Sequence, residues 1–234
     1  MLIEQKWLKY LKLGKDMVVS FSGIDGSGKT TQINLLTDYC DRQRIKYIKK
    51  WSKARGTPLI MFLKKLIRRD KGMAQEQKEE YREAVYNSSK KKNLLYIGSM
   101  LDLCLYWGFT FRYLKWKHRN GLMILDRYIW DTYVEVSNEF QIKDLDKRFF
   151  WKMVKFFYVK PDVGILLTIP AEESLRRDLL KGELTTDALE FKKAKIDTYM
   201  ALKEKGCWDV CIDTMTSIDE SHHAILSAIG YEKA

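Results

Sequence analysis

The chain has 234 residues, 46% of them apolar and 13% aromatic, with 42 Lys or Arg against 31 Asp or Glu and a net charge of +11. That length suits one domain with a substantial core, and the aromatic content excludes disorder as the main state. Apolar runs such as Val163 to Pro170 fall far short of the ~20 residues that cross a bilayer.

Charges every few residues between Met1 and Lys15 leave no secretory core, and the spacing of Leu2, Ile3, Trp7, Leu8 and Leu11 predicts a short amphipathic helix, an N-terminal extension over 1–15. Met17 to Ser22 predicts a buried strand. Glycines follow it, then a helix from Lys29 to Arg42. Ile45 to Trp51 predicts a second strand, and Pro58 opens a helix over Leu59 to Arg69. Asp70 to Lys92 is polar and mixed in charge. Asn93 to Lys117 predicts a long helix dense in Leu, Tyr and Trp, whose aromatics are first of all core. Leu122 to Leu125, Val163 to Ile169 and Val210 to Ile212 predict three further strands. Ala171 to Leu180, Asp187 to Lys205 and Ile218 to Ile229 predict helices. Five strands separated by helices imply an α/β fold, a three-layer α/β/α domain around a central parallel five-stranded sheet. Ligands of such sheets bind at the C-terminal strand ends.

The basic excess is local. Between Asp41 and Gly72 lie 12 Lys or Arg and only two acids, Asp41 and Asp70, and Lys90-Lys91-Lys92 forms a second knot. A field of that sign attracts phosphate groups, whether on small molecules, nucleic acid or lipid, although a solvated basic face is an equal reading. Cys40, Cys104, Cys207 and Cys211 form no C-x-x-C pair and read as reduced thiols of a cytoplasmic protein.

Gly23-Ile24-Asp25-Gly26-Ser27-Gly28-Lys29-Thr30 fits G-x-x-x-x-G-K-[ST] between a predicted strand and a predicted helix. In that setting backbone N–H groups curl around a phosphate, and the helix N-terminus adds its partial positive charge. Lys29 would bridge the β- and γ-phosphates and the Thr30 hydroxyl would ligate Mg2+. Asp126, just after a strand, is the candidate carboxylate of the metal shell.

Phe21 to Gln32, including Thr31, resembles the phosphate loop of the thymidylate kinase family. Asp126-Arg127-Tyr128 resembles its D-R-[YFH] signature, and Gly56-Thr57-Pro58 its G-T-P turn. Pro161-Asp162 and Pro170-Ala171-Glu172 resemble its P-D strand and P-x-E turn, and Phe191 to Tyr199 and Ile212-Asp213-Thr214 also fit. The resemblance covers about residues 17 to 230. It implies a single P-loop kinase domain over 1–234 with a lid over 171–187, passing the γ-phosphoryl of ATP to dTMP with Mg2+, and a homodimer formed through the long helices. Gly26 stands where one branch of the family carries Arg. By resemblance the lid then supplies the cation, with Arg176, Arg177 and Lys181 as candidates, and Asp25 holds the sugar hydroxyl of the acceptor.

The acceptor half departs from the family. Relatives carry T-R-E-P-G before G-T-P, whereas this chain has Trp51-Ser52-Lys53-Ala54-Arg55. Met100 or Leu101 occupies the place of a base-reading Arg, and Asp131 stands where many relatives have Ser. Lys53, Arg55 and Arg127 are the candidates for gripping an acceptor phosphate, and Asp126 or Asp131 for positioning the hydroxyl of a neutral acceptor. A nucleoside-monophosphate kinase is the first reading. A related kinase for a nucleoside, a sugar or a modified base in DNA, and an ATP-binding switch or defence component, remain beside it.

Overall fold

The structure is a computed structural model that describes residues 17–51, 89–118, 121–142, 144–180 and 189–231. Described residues within Met1–Ser52, Leu114–Glu135 and Lys160–Ala234 form one compact unit, and those within Lys53–Tyr113 and Val136–Val159 a second.

The first unit holds a parallel sheet of β1 (Met17–Ser22), β2 (Tyr47–Trp51), β3 (Leu122–Asp126), β4 (Val163–Thr168) and β5 (Val210–Asp213), in the order β2-β3-β1-β4-β5. β1 is central and all six of its residues are buried, as a run of Val and Phe covered on both faces requires. Its register with β3 pairs Phe21 with Asp126, and its register with β4 pairs Ser22 with Leu166. Two carboxylates fix strand starts: Asp162 accepts the Val18 N–H at 2.8 Å, and Asp209 accepts the Gly164 N–H at 2.8 Å.

The helices of this unit follow the strands. α1 (Lys29–Arg42) leaves β1, and its apolar side (Ile33, Leu36, Cys40) joins Val19, Phe21, Ile124, Ile165 and Ile225 in one core. Numbered along the chain, α3 (Arg112–Lys117), α4 (Ile129–Phe140), α6 (Ala171–Leu180), α7 (Leu189–Glu204) and α8 (Ile218–Ala228) complete it, α3 and α4 each running across the boundary between units. A capping box starts α8: Glu220 N–H donates to Ser217 Oγ at 3.1 Å, and Ser217 N–H donates to the Glu220 carboxylate at 3.0 Å. Gln32 on α1 donates to the Ile218 carbonyl at 2.9 Å, fixing α1 against α8.

The second unit contains α2 (Ser89–Leu105), the π-helical turn Tyr106–Phe111 that continues it, a short 3-10 turn at Leu145–Lys147 and α5 (Phe149–Phe157). Tyr96 meets Phe140 and Phe150 edge to face, and Trp151 and Val154 are fully buried. The predicted helix over 93–117 therefore begins earlier, at Ser89, and widens at Tyr106–Phe111. The predicted N-terminal helix, the helix after Pro58 and most of 70–92 lie outside the described residues. All four cysteines are free thiols, and no helix among the described residues is long and apolar enough to cross a membrane.

Candidate active site

The phosphate loop runs from the end of β1 into α1, at the C-terminal edge of the sheet where β1 lies between β3 and β4. Two of its glycines are dictated by space as well as by backbone. Gly23 has φ +143°, and a Cβ there would stand 2.4 Å from the Leu167 carbonyl oxygen. Gly26 has φ +77°, and its Cβ would meet the Ser174 carbonyl oxygen of α6 at 2.9 Å. An arginine at position 26 is thus excluded by the packing of α6 on the loop, a physical reason for the Gly that the sequence shows. Gly28 is the N-cap of α1, and Thr30 and Thr31 lie exposed on its first turn.

Lys29 is buried, and its ammonium donates to the carbonyls of Gly23 (2.8 Å) and Ile24 (2.5 Å) and to Ser27 Oγ (3.2 Å). Burial, and then the nearby Arg127 charge, push its pKa down to about 7, against the pull of Asp131, Asp25 and Asp126. Asp126 ends β3, and no described side chain hydrogen-bonds its carboxyl. Burial raises its pKa, opposed by Lys29 and Arg127. Arg127 sits at φ +61°, its N–H bonded to the Phe21 carbonyl at 2.9 Å, and its guanidinium pairs with the Asp25 carboxylate. Burial works against that charge, but Asp131 and Asp25 outweigh it and hold the guanidinium above its ordinary value.

The two arginines of α6 separate. Arg177 reaches the loop: its guanidinium donates to the carbonyls of Gly26 at 3.3 Å and Thr214 at 3.1 Å, and to Glu173 at 2.8 Å. Arg176 is 62% exposed and forks onto both oxygens of Glu173 at 2.6 Å. These two arginines, Arg176 first, draw Glu173 down to about 2. Lys181, Lys53 and Arg55 lie outside the described residues.

Asp131 lies among scaffold donors. The sequence offers it, beside Asp126, for the hydroxyl of a neutral acceptor; it is 2% exposed, and both its carboxylate oxygens accept from four donors of the described residues.

Sequence reasoning missed a buried polar set against the loop. Lys192 of α7 donates to Asp178 Oδ2 (2.6 Å) and Ser174 Oγ (3.0 Å), and the Ser174 hydroxyl donates to the Asp25 carbonyl at 2.7 Å. Lys192 and Asp178 are 2% and 4% exposed along their side chains. Their spacing across two helices left no linear signal. A small cleft opens beside Asp25 and Arg127, lined also by Ile24, Glu135, Lys192 and Lys195.

Phosphate loop, buried lysine, strand-end carboxylate and an arginine aimed at the loop from a following helix define a P-loop phosphotransferase of the α/β class. The sequence model described as Thymidylate kinase matches residues 21–225, and the chain belongs to the thymidylate kinase family. A probable thymidylate kinase of Methanocaldococcus jannaschii is 26% identical over 218 residues, covering 93% of this chain and 96% of that protein. One from Pyrococcus horikoshii is 28% identical over 217 residues, covering 92% and 96%. The crystal structure of thymidylate kinase from Ehrlichia chaffeensis matches the fold with a TM-score of 0.57 at 17% identity, over 91% of this chain and 97% of that one.

Proposed function

We infer that this chain transfers the γ-phosphoryl group of ATP to dTMP, giving dTDP and ADP. The observation that carries the reading is the meeting of Lys29, Asp126, Arg127 and Arg177 around one glycine-rich loop in a chain of this family.

Loop amides, Lys29 and the first turn of α1 would hold the ATP phosphates. Thr30 and Asp126 are the residues for Mg2+. The fit rests on their chemistry: one hydroxyl and one carboxylate that no described side chain occupies suit a hard cation that keeps water and phosphate oxygens as its other ligands. Mg2+ would neutralise charge on the phosphates. A phosphate oxygen of the acceptor attacks the γ-phosphorus in line, and the bond to the β-phosphate oxygen breaks as ADP leaves. Lys29, released from the Gly23 and Ile24 carbonyls, gains stronger partners in the phosphate oxygens. Arg177 already reaches the loop at Gly26 and supplies the cation that position 26 has no room to carry. Arg127 orients the acceptor phosphate, Asp25 holds Arg127 and the sugar hydroxyl, and Lys53, Arg55 and Lys181 add charge from beyond the described residues.

Leu101, Leu105 and Phe109, at four-residue spacing, are 41%, 54% and 72% exposed. An apolar face of that kind supports a homodimer, and free thiols support a cytoplasmic setting. A panel of dTMP, dUMP, other monophosphates, thymidine, sugars and DNA, with Mg-ATP, tests the acceptor. Turnover with dTMP ahead of the rest is expected. Silence with dTMP and turnover with another acceptor would overturn the assignment.

A further inference from the structure

Asp131 stands in the first turn of α4, three residues after Tyr128. Its Oδ2 accepts the Ser22 hydroxyl at 2.7 Å and the Tyr128 N–H at 3.1 Å. Its Oδ1 accepts the Gly23 N–H at 3.1 Å and the Tyr199 hydroxyl at 2.7 Å. One carboxylate therefore gathers the end of β1, the first amide of the phosphate loop, the start of α4 and the middle of α7. An ionised carboxylate has the lone pairs for four donors, whereas a serine hydroxyl at the same place offers half as many. The Gly23 residue held at its N–H is the one whose carbonyl receives Lys29. Tyr199 is buried, and burial, followed by the Asp131 charge, keeps its phenol protonated well above the usual range, so that it remains a donor. The helix that carries Tyr199 also carries Lys192, whose ammonium reaches the other flank of the loop through Ser174 and Asp25.

We propose that Asp131 is a positioning residue of the phosphoryl transfer: it sets the entry of the phosphate loop and, through Tyr199, ties the loop's position to α7. Asp131 and Tyr199 act on the loop through the Gly23 N–H and the Gly23 carbonyl that receives Lys29, so their loss falls on ATP binding and on turnover. The reaction named here rests on the kinase reading above, but the loop geometry does not.

The test compares wild type with Asp131→Asn, Tyr199→Phe and the double variant, in equilibrium Mg-ATP binding and in kcat and both KM values. The amide of Asp131→Asn turns an N–H2 toward two of the four donors. It is expected to weaken ATP binding tenfold or more and to lower kcat. Tyr199→Phe removes one bond of four and is expected to weaken ATP binding about threefold. The double variant should be no weaker than Asp131→Asn alone, since both act through one contact. Lower melting temperatures with unchanged ATP binding and kcat, or a rise in the acceptor KM alone, would overturn the proposal. If Asp131→Asn does not fold, Tyr199→Phe decides: unchanged ATP binding and turnover overturn it. Failure of the kinase reading would show separately, as wild type that binds Mg-ATP and makes no dTDP.

Discussion

Lys29→Met should make the nucleotide-free protein more stable while ending phosphoryl transfer. The side chain is enclosed and its pKa is driven from an ordinary 10.5 to about 7. Holding the proton there costs about 4 to 5 kcal/mol, at about 1.4 kcal/mol per pH unit. Methionine fills similar space without a charge, but it leaves the carbonyls of Gly23 and Ile24 and the Ser27 hydroxyl without their donor, which returns about 1 to 3 kcal/mol. The net gain is then about 1 to 4 kcal/mol, a rise in Tm of roughly 2 to 16 °C for a chain of this size. The pH dependence has a definite sign. Between pH 7 and 10.5 the unfolded chain holds the lysine proton more than the folded chain does, so wild-type stability rises with pH across that window. The advantage of Lys29→Met is therefore complete below pH 7 and fades toward pH 10.5. Thermal unfolding of both proteins without nucleotide at pH 6.5, 8 and 9.5 measures it. A variant less stable than wild type at all three, or a gap that does not shrink with pH, would refute the placement of a charged, desolvated Lys29 in the loop.

Lys192→Met removes one partner of a buried ion pair and strands Asp178, so unfolding in denaturant should show a loss of about 3 to 5 kcal/mol. Arg177→Ala should lower kcat by 10-fold or more and change ATP affinity far less, because its charge is needed as the phosphoryl group moves; steady-state kinetics beside equilibrium binding separate the two. Arg176→Ala, by contrast, removes an exposed fork to Glu173 and should leave turnover within about twofold. Asp126→Asn should raise the Mg2+ concentration needed for half-maximal activity by 10-fold or more, read from a metal titration at fixed ATP.

The elements legible from sequence were those with a single strong signal. The β-branched and aromatic run of Met17–Ser22, the glycines after it and the Lys29–Arg42 periodicity lie where they were expected, and Ala171–Leu180 has its predicted bounds. By contrast, Ile129–Phe140 and Phe149–Phe157 carried no assignment. Phe149–Phe157 is short and almost wholly apolar, with Trp151 enclosed while Phe149 and Phe156 are 69% and 77% exposed, and a run of that length does not separate helix from strand. Nor does anything linear announce the wide turn at Tyr106–Phe111, where a Cβ on Gly108 would lie 3.4 Å from Phe157.

The site was legible wherever chemistry sits in a contiguous motif. Lys29 and the glycines fall in one block, and Asp126-Arg127 in another. Roles that depend on which way a side chain turns were not legible. Arg176 and Arg177 are adjacent, yet only Arg177 lies against the loop, because successive helical positions are about 100° apart. The place of Asp131 after Asp-Arg-Tyr does not announce that its carboxylate gathers donors from β1, the loop, α4 and α7. Lys192, Asp178 and Ser174 meet only because α6 and α7 pack together, which no spacing along the chain encodes.

The most direct measurement follows labelled γ-phosphate from ATP to dTMP, with Mg2+, in wild type and in Lys29→Ala. A thymidylate kinase-family enzyme with the loop described here should give labelled dTDP in wild type and none in the variant. Wild type that hydrolyses or retains ATP and leaves dTMP unlabelled would contradict the assignment.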